Sequence, residues 1–296
     1  MKSNCLVNYD TGISLHGRGR PKGDLGIKDR PKTLISNSPA MQDIDDYIDT
    51  VSNTNTTVLI LGESGVGKEL IAKTIHYRSR RSDQAFVKVD CAALSESALE
   101  SELFGYEKGA ILGTTDCRKG SLTSADGGTL FLEEVGALSL LLQAKLFLVL
   151  KNRTFERIGG NKPIKVDVRI VAATTQDLEQ RTEKGLFSKD LYYKLNVFPI
   201  LVPPLRERRE DITLLARFFV EESAKEVEKN VTGISSAALD ALMNYDWPGN
   251  VQEFKGCIER AIILSTDNMI RLHHLPPGLQ GSGLTAQASK EPEDSG

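Results

Sequence analysis

The chain has 296 residues, 40% hydrophobic and 26% charged, with a formal net charge of -3; this describes an ordinary globular protein long enough for one large or two modest domains. The slightly acidic balance excludes wholesale coating of nucleic acid, which needs a basic excess. No apolar run reaches the ~20 residues that span a bilayer, and the N-terminus has no charged segment followed by an apolar one, so the expected location is the cytoplasm with no membrane partner.

Residues 1–33 are rich in Gly, Lys, Arg and Asp without periodicity, and a flexible basic arm is expected. Within it, Arg18-Gly19-Arg20-Pro21-Lys22 resembles an AT-hook core, which would lay a basic strand in an A·T-rich minor groove; a solvated linker is the plainer reading. A regular pattern begins near Leu34. Residues 41–51 predict a helix with Met41, Ile44, Tyr47, Ile48 and Val51 on one face. The β-rich run 57–61 meets a turn at Gly62, and a helix is expected to about Arg80. Further strands are predicted at 85–89, 129–132, 168–173 and 200–202, with helices between them, for example at 138–151. This alternation implies an α/β domain over 34–205, a parallel sheet flanked by helices on both faces. After Pro203-Pro204 the strands are expected to stop. Helices at 211–229, 235–245 and 251–264 predict a small α-helical lid domain over 206–280, and the polar tail 281–296 is expected to be disordered. Cys5, Cys91, Cys117 and Cys257 form no CxxC pair and have no histidine at zinc spacing, so they read as reduced thiols.

Gly62-Glu63-Ser64-Gly65-Val66-Gly67-Lys68 fits G-x-x-x-x-G-K between a strand and a helix. Glycines there let backbone N–H groups turn inward onto phosphate oxygens. The helix that follows presents its N-terminal dipole to the anion, and Lys68 is placed to reach the β- and γ-phosphates. Glu69 stands where a Ser or Thr would offer magnesium a hydroxyl. Farther on, the apolar run Leu130-Phe131-Leu132 ends in Glu133-Glu134. Two acids at the end of a buried strand suit a phosphate-loop enzyme: one holds Mg²⁺ and the other polarises the attacking water.

Beyond these motifs the chain resembles one family, the AAA+ central domain of bacterial sigma-54-dependent transcription activators. Residues 62–69 look like that family's GESGTGKE, in which Glu69 is normal, and residues 102–110 are similar to its ELFGHEKGA. Matching segments also include Asp126-Gly127-Gly128-Thr129-Leu130-Phe131-Leu132, Phe155-Glu156-Arg157-Ile158-Gly159-Gly160, Asp190-Leu191-Tyr192-Tyr193, Pro203-Pro204-Leu205-Arg206-Glu207-Arg208 and Trp247-Pro248-Gly249-Asn250-Val251. The likeness runs from about Leu34 to Leu279, nearest the nitrogen-fixation branch. It implies an AAA+ P-loop NTPase that takes ATP and Mg²⁺. It also implies a ring of like subunits, usually a hexamer, in which hydrolysis drives a GAFTGA-tipped loop against sigma-54 RNA polymerase.

Against that pattern the working residues differ. The loop reads Gly109-Ala110-Ile111-Leu112-Gly113-Thr114, with Ile111 and Leu112 where the family has an aromatic and a threonine. Glu133 replaces the first acid, Asp, and its added methylene shifts the carboxylate by on the order of 1.5 Å. Asp90 stands for an Asn that gates the water-activating Glu134; an aspartate there would repel Glu134 or favour its protonated form. Thr175 follows Thr174 where an Asn is usual. FRxDLYYRL has become Phe187-Ser188-Lys189-Asp190-Leu191-Tyr192-Tyr193-Lys194-Leu195, so that Ser188 and Lys194 stand at the two arginine positions, and Lys189 or Lys194 is left to supply charge. Gln252 replaces the sensor II arginine. Such fingers are worth about 10³–10⁵ in rate, and a lysine lacks the planar fork. The resemblance therefore leaves three readings: an ATP-binding domain with impaired hydrolysis and weakened sigma-54 engagement, an active ATPase that remodels sigma-54 polymerase, or a remnant of a larger activator. The sequence ends in a short polar tail where relatives carry a DNA-binding domain, so enhancer binding is not expected of it.

Overall fold

Four consecutive apolar residues build β1, Val58–Leu61, and their alternation sets the architecture. The computed structural model describes residues 34–110 and 116–280. The arm 1–33 with Arg18 to Lys22, the loop positions Ile111, Leu112, Gly113 and Thr114, and the tail 281–296 lie outside the described residues. Val58 and Ile60 point to one face of the sheet, against Ile44 and Ile48 of α1 (Pro39–Ser52) and Ile71 and Ile75 of α2 (Lys68–Tyr77). Leu59 points to the other, into a cluster with Leu99 and Leu103 of α3 (Glu96–Phe104) and Leu142 and Leu146 of α4 (Leu140–Asn152). A strand buried on both faces must be apolar throughout, and this one is.

The other strands of this sheet are β2 (Phe86–Asp90), β3 (Thr129–Glu133), β4 (Arg169–Thr174) and β5 (Phe198–Leu201). All pair in parallel, in the order β2-β3-β4-β1-β5. This is the α/β class expected, a parallel sheet covered by helices on both faces. Two short helices that the apolar pattern did not single out, α5 (Leu178–Glu183) and α6 (Lys189–Leu195), are each started by a side-chain cap: Asp177 accepts from the Gln180 amide and Ser188 from the Leu191 amide.

Beyond residue 205 the helices α7 (Glu210–Glu226), α8 (Ser236–Asn244) and α9 (Asn250–Leu264) gather a second core around Trp247, Phe254, Ile258 and Ile212. Strands do not stop at Pro203-Pro204: Gly233–Ile234 and Met269–Ile270 pair in parallel beside this core. A two-residue strand is too short to carry a period of two, which is why its sequence gives no sign of it. Helix α7 also ends before Lys229. That side chain instead donates to the carbonyls of Ile262 (3.2 Å), Ile263 (2.6 Å) and Ser265 (2.9 Å), closing the C-terminus of α9. The helical part is fastened to the start of the described chain by Asp211, which is fully buried. Its carboxylate accepts from the Asn37 and Ser38 amides and from the Ser36 and Ser38 hydroxyls at 2.7–2.9 Å, so the buried charge is fully hydrogen-bonded. Among the described residues no helix is long and apolar enough to cross a membrane.

Candidate functional site

The phosphate loop connects β1 to α2. Gly65 and Gly67 both lie in the left-handed region, at φ 76° and 106°, where any other residue would be strained. A Cβ on Gly65 would stand 2.3 Å from the Gly249 carbonyl oxygen, whereas one on Gly67 would meet nothing within 4 Å. The loop is thus backed by the lid at Gly65 and open at Gly67, and α2 begins at Lys68. Lys68 is buried, and its ammonium donates to the carbonyls of Gly62 (2.9 Å) and Glu63 (3.0 Å) and lies 3.6 Å from Glu134. Burial holds the Lys68 pKa below its ordinary value, opposed by the attraction of Glu134. A cationic side chain curled over a ring of main-chain groups at a helix N-terminus fits a polyphosphate.

Glu133 and Glu134 sit at the end of β3, as the sequence places them. Glu134 has φ 52°, an uncommon conformation for its residue type and one that gathers at functional sites. Its Oε2 accepts from both the backbone amide and the hydroxyl of Thr175, each at 3.0 Å. Lys68 and Thr175 therefore hold Glu134 between them. Asp90 does not engage this acid through a hydrogen bond; its Oδ1 accepts from the Ala92 amide at 2.9 Å. All three acids nevertheless surround one buried thiol. Burial, reinforced by Asp90, Glu134 and Glu133, pushes Cys91 up to about 12, so it stays an inert thiol.

Glu133 and Glu69 are drawn together by a residue the motifs did not reveal. Lys88, on β2, lies 2.6 Å from Glu133 and 2.6 Å from Glu69, and Glu69 also pairs with Lys73 at 2.8 Å. Burial alone would lower the Lys88 pKa, but the two carboxylates outweigh it and raise it. Alternation along β2 puts Lys88 on the face that carries Asp90, a hint the sequence does hold. Among the described residues no cluster of three or more His, Cys, Asp or Glu forms a protein-only metal cage. Hard oxygen donors such as Glu133 fit instead a magnesium ion that takes most of its ligands from phosphates and water.

The lid closes over the same loop. Glu63 accepts a two-pronged bond from Arg206 (2.6 and 2.9 Å) and a third from Asn250 at 3.1 Å; these partners hold its carboxyl at about 2. The Asn250 amide also donates to the Ser64 carbonyl (2.9 Å) and its Oδ1 accepts from the Leu205 amide (2.8 Å). Arg208, buried, donates to the Val66 carbonyl at 2.9 Å. Gln252 reaches the loop through its main chain, donating to the Gly65 carbonyl at 3.2 Å.

The remaining sequence candidates are elsewhere. Lys189 and Lys194 are exposed on α6 and make no ion pair with the acids described above. Tyr193 on the same helix and Val197 just after it are more than half exposed, large apolar side chains of the kind found at protein contacts. Gly109 and Ala110 form the described base of the loop expected to meet sigma-54. Its stem is the antiparallel pair Gly105–Tyr106 and Arg118–Lys119. The segment at Ile158 braces it: the Glu107 amide donates to the Ile158 carbonyl at 3.0 Å, and Arg157 pairs with Glu107 at 2.9 Å.

Residues 34–201 match the family described as the sigma-54 interaction domain, and residues 206–292 match the AAA+ ATPase lid domain. The chain is 54% identical over 263 residues to the nitrogen fixation protein AnfA of Azotobacter vinelandii, covering 89% of this chain and 49% of that protein. It is 48% identical over 247 residues to the regulatory protein AtoC of Escherichia coli, covering 83% of this chain and 54% of that protein. Among solved structures it is similar to NtrX from Brucella abortus in complex with ATP, at a TM-score of 0.78 and 35% identity, covering 88% of this chain and 57% of that one. The chain spans about half the length of the curated relatives it matches.

Proposed function

Because the chain belongs to the family of sigma-54 interaction domains, AAA+ domains of transcription activators, we propose that it binds ATP on the Gly62–Glu69 loop, enters a ring of like subunits and hydrolyses ATP poorly. Lys68 and the loop amides hold the phosphates. Glu134 orients and polarises the attacking water, and Thr175, donating two hydrogen bonds to its carboxylate, fixes where that carboxylate points. Magnesium would be held from the protein side by Glu133, and when bound it neutralises charge building on the phosphates. Gln252 brings no charge to the γ-phosphate. The face of α6 that exposes Tyr193, Lys189 and Lys194 is the surface we assign to the neighbouring subunit.

One observation carries the reading. The cradle for the phosphates is complete, while α6, the segment that would reach a neighbour's nucleotide, presents Lys189 and Lys194 and no arginine. Phosphoryl transfer depends on charge and position at the γ-phosphate, and a lysine there supplies charge without the two-pronged geometry. Contact with sigma-54 is weakened in the same reading, since Ile111 and Leu112 lack the ring and hydroxyl of the family pattern. ATP binding and phosphate release measured on one preparation test it. Tight binding is expected, with turnover at least about 10³-fold below a relative that has both arginines; turnover equal to that relative's would refute the proposal. An active remodeller of sigma-54 polymerase is the second reading, and the Lys68–Glu134–Thr175 arrangement favours it.

A further inference from the structure

The two acids nearest the expected cation position share one lysine partner, Lys88. In phosphate-loop enzymes magnesium is held between the residue after the loop lysine and the acid at the end of the neighbouring strand. Here those residues are Glu69 and Glu133, and the Lys88 ammonium stands 2.6 Å from a carboxylate oxygen of each. We infer that Lys88 is a built-in counter-cation: it occupies the space between Glu69 and Glu133 before the metal arrives, competes with magnesium for Glu133, and so sets how much magnesium the site requires. The inference rests on the nucleotide reading above and deepens it.

The local wiring suits such an exchange. Glu69 has a second partner, Lys73 at 2.8 Å, so it stays neutralised when Lys88 withdraws. Glu133 has no other ion pair among the described residues, so withdrawal of Lys88 frees the one carboxylate that a metal needs. Lys88 comes from β2, an edge strand of the sheet, and its side chain is 38% exposed, leaving it room to swing into solvent. An ammonium and a divalent ion cannot share one carboxylate pocket without strong repulsion, so the two occupancies exclude each other.

The test uses the full chain and a fluorescent, mant-labelled ADP, with binding followed from EDTA through a magnesium titration at constant ionic strength. Lys88→Met should lower the magnesium concentration for half-maximal effect about five-fold, the size expected when a half-exposed ion pair no longer competes. Lys88→Arg, which keeps the charge, should leave it near the parent value. Lys88→Gln gives the same comparison as Lys88→Met if the latter fails to fold. An unshifted or higher midpoint in the uncharged variants, with labelled ADP still bound, would overturn this inference alone. Absence of labelled-ADP binding by the parent protein at every magnesium level would overturn the nucleotide reading and this inference with it.

Discussion

Replacing Asn250 by alanine should uncouple the lid from the phosphate loop at a cost that can be worked out bond by bond. Asn250 is fully buried and has φ 53°. Its side chain accepts from the Leu205 amide and donates to the Ser64 carbonyl and to Glu63. Alanine leaves the buried Leu205 amide without a partner, costing about 1–3 kcal/mol, and removes two further bonds worth about 1 kcal/mol each. It also puts a residue with no local side-chain bond in the left-handed region, at about 1 kcal/mol. Water reaching the half-exposed Glu63 returns part of this, so the expected loss is about 3–5 kcal/mol. Asn250→Gly removes the same bonds without the backbone strain and should lose about 1 kcal/mol less than Asn250→Ala. Urea denaturation followed by tryptophan fluorescence reads this directly, since Trp247 is the only tryptophan and is fully buried in the lid core. A loss below about 1 kcal/mol for the alanine variant, or a glycine variant less stable than it, would refute the assignment of Asn250 as the lid's anchor.

Further outcomes follow from other parts of the molecule. Lys68→Ala should abolish binding of labelled ADP while changing the denaturation midpoint little, because the two hydrogen bonds it loses to main-chain carbonyls are offset by no longer burying a charge; retained affinity would argue against the loop as the phosphate site. Ser188→Arg combined with Lys194→Arg should raise turnover by at least about ten-fold at ring-forming concentrations, checked by phosphate release; no gain would place the defect at Glu133 or Asp90. His76, 1% exposed, has its pKa pulled down to about 4, first by burial and further by Arg169. An unfolded chain takes up that proton near pH 6.5, so stability is full above pH 6.5 and falls as pH drops towards 4, by about 3 kcal/mol in all. His76→Gln should flatten that part of the stability profile relative to the parent; an identical slope in both proteins would show that other groups carry it.

The elements and the loop were legible in the sequence because their signals are local. Four apolar residues, a glycine-spaced turn and a lysine define β1, the loop and the start of α2 within eleven positions of chain, residues 58–68. The acids of β3 are equally local, an apolar run with Glu133 and Glu134 at its end. Short pieces escaped for the same reason: Gly233–Ile234 and Met269–Ile270 are two residues each, and α5 and α6 begin at polar caps rather than at an apolar stripe.

What surrounds the phosphates is decided by contacts between distant parts of the chain. Glu63 meets Arg206 across 143 positions and Asn250 across 187, and Ser38 meets Asp211 across 173. Lys88 reaches Glu133 only because β2 lies beside β3, with Asp90 in register with Glu133. Composition and periodicity fix which segments become strands and helices, since each needs only its own residues to satisfy its backbone and bury one face. Which charges then face one another depends on the order of strands in the sheet and on where the lid packs, and no spacing within a single segment encodes that.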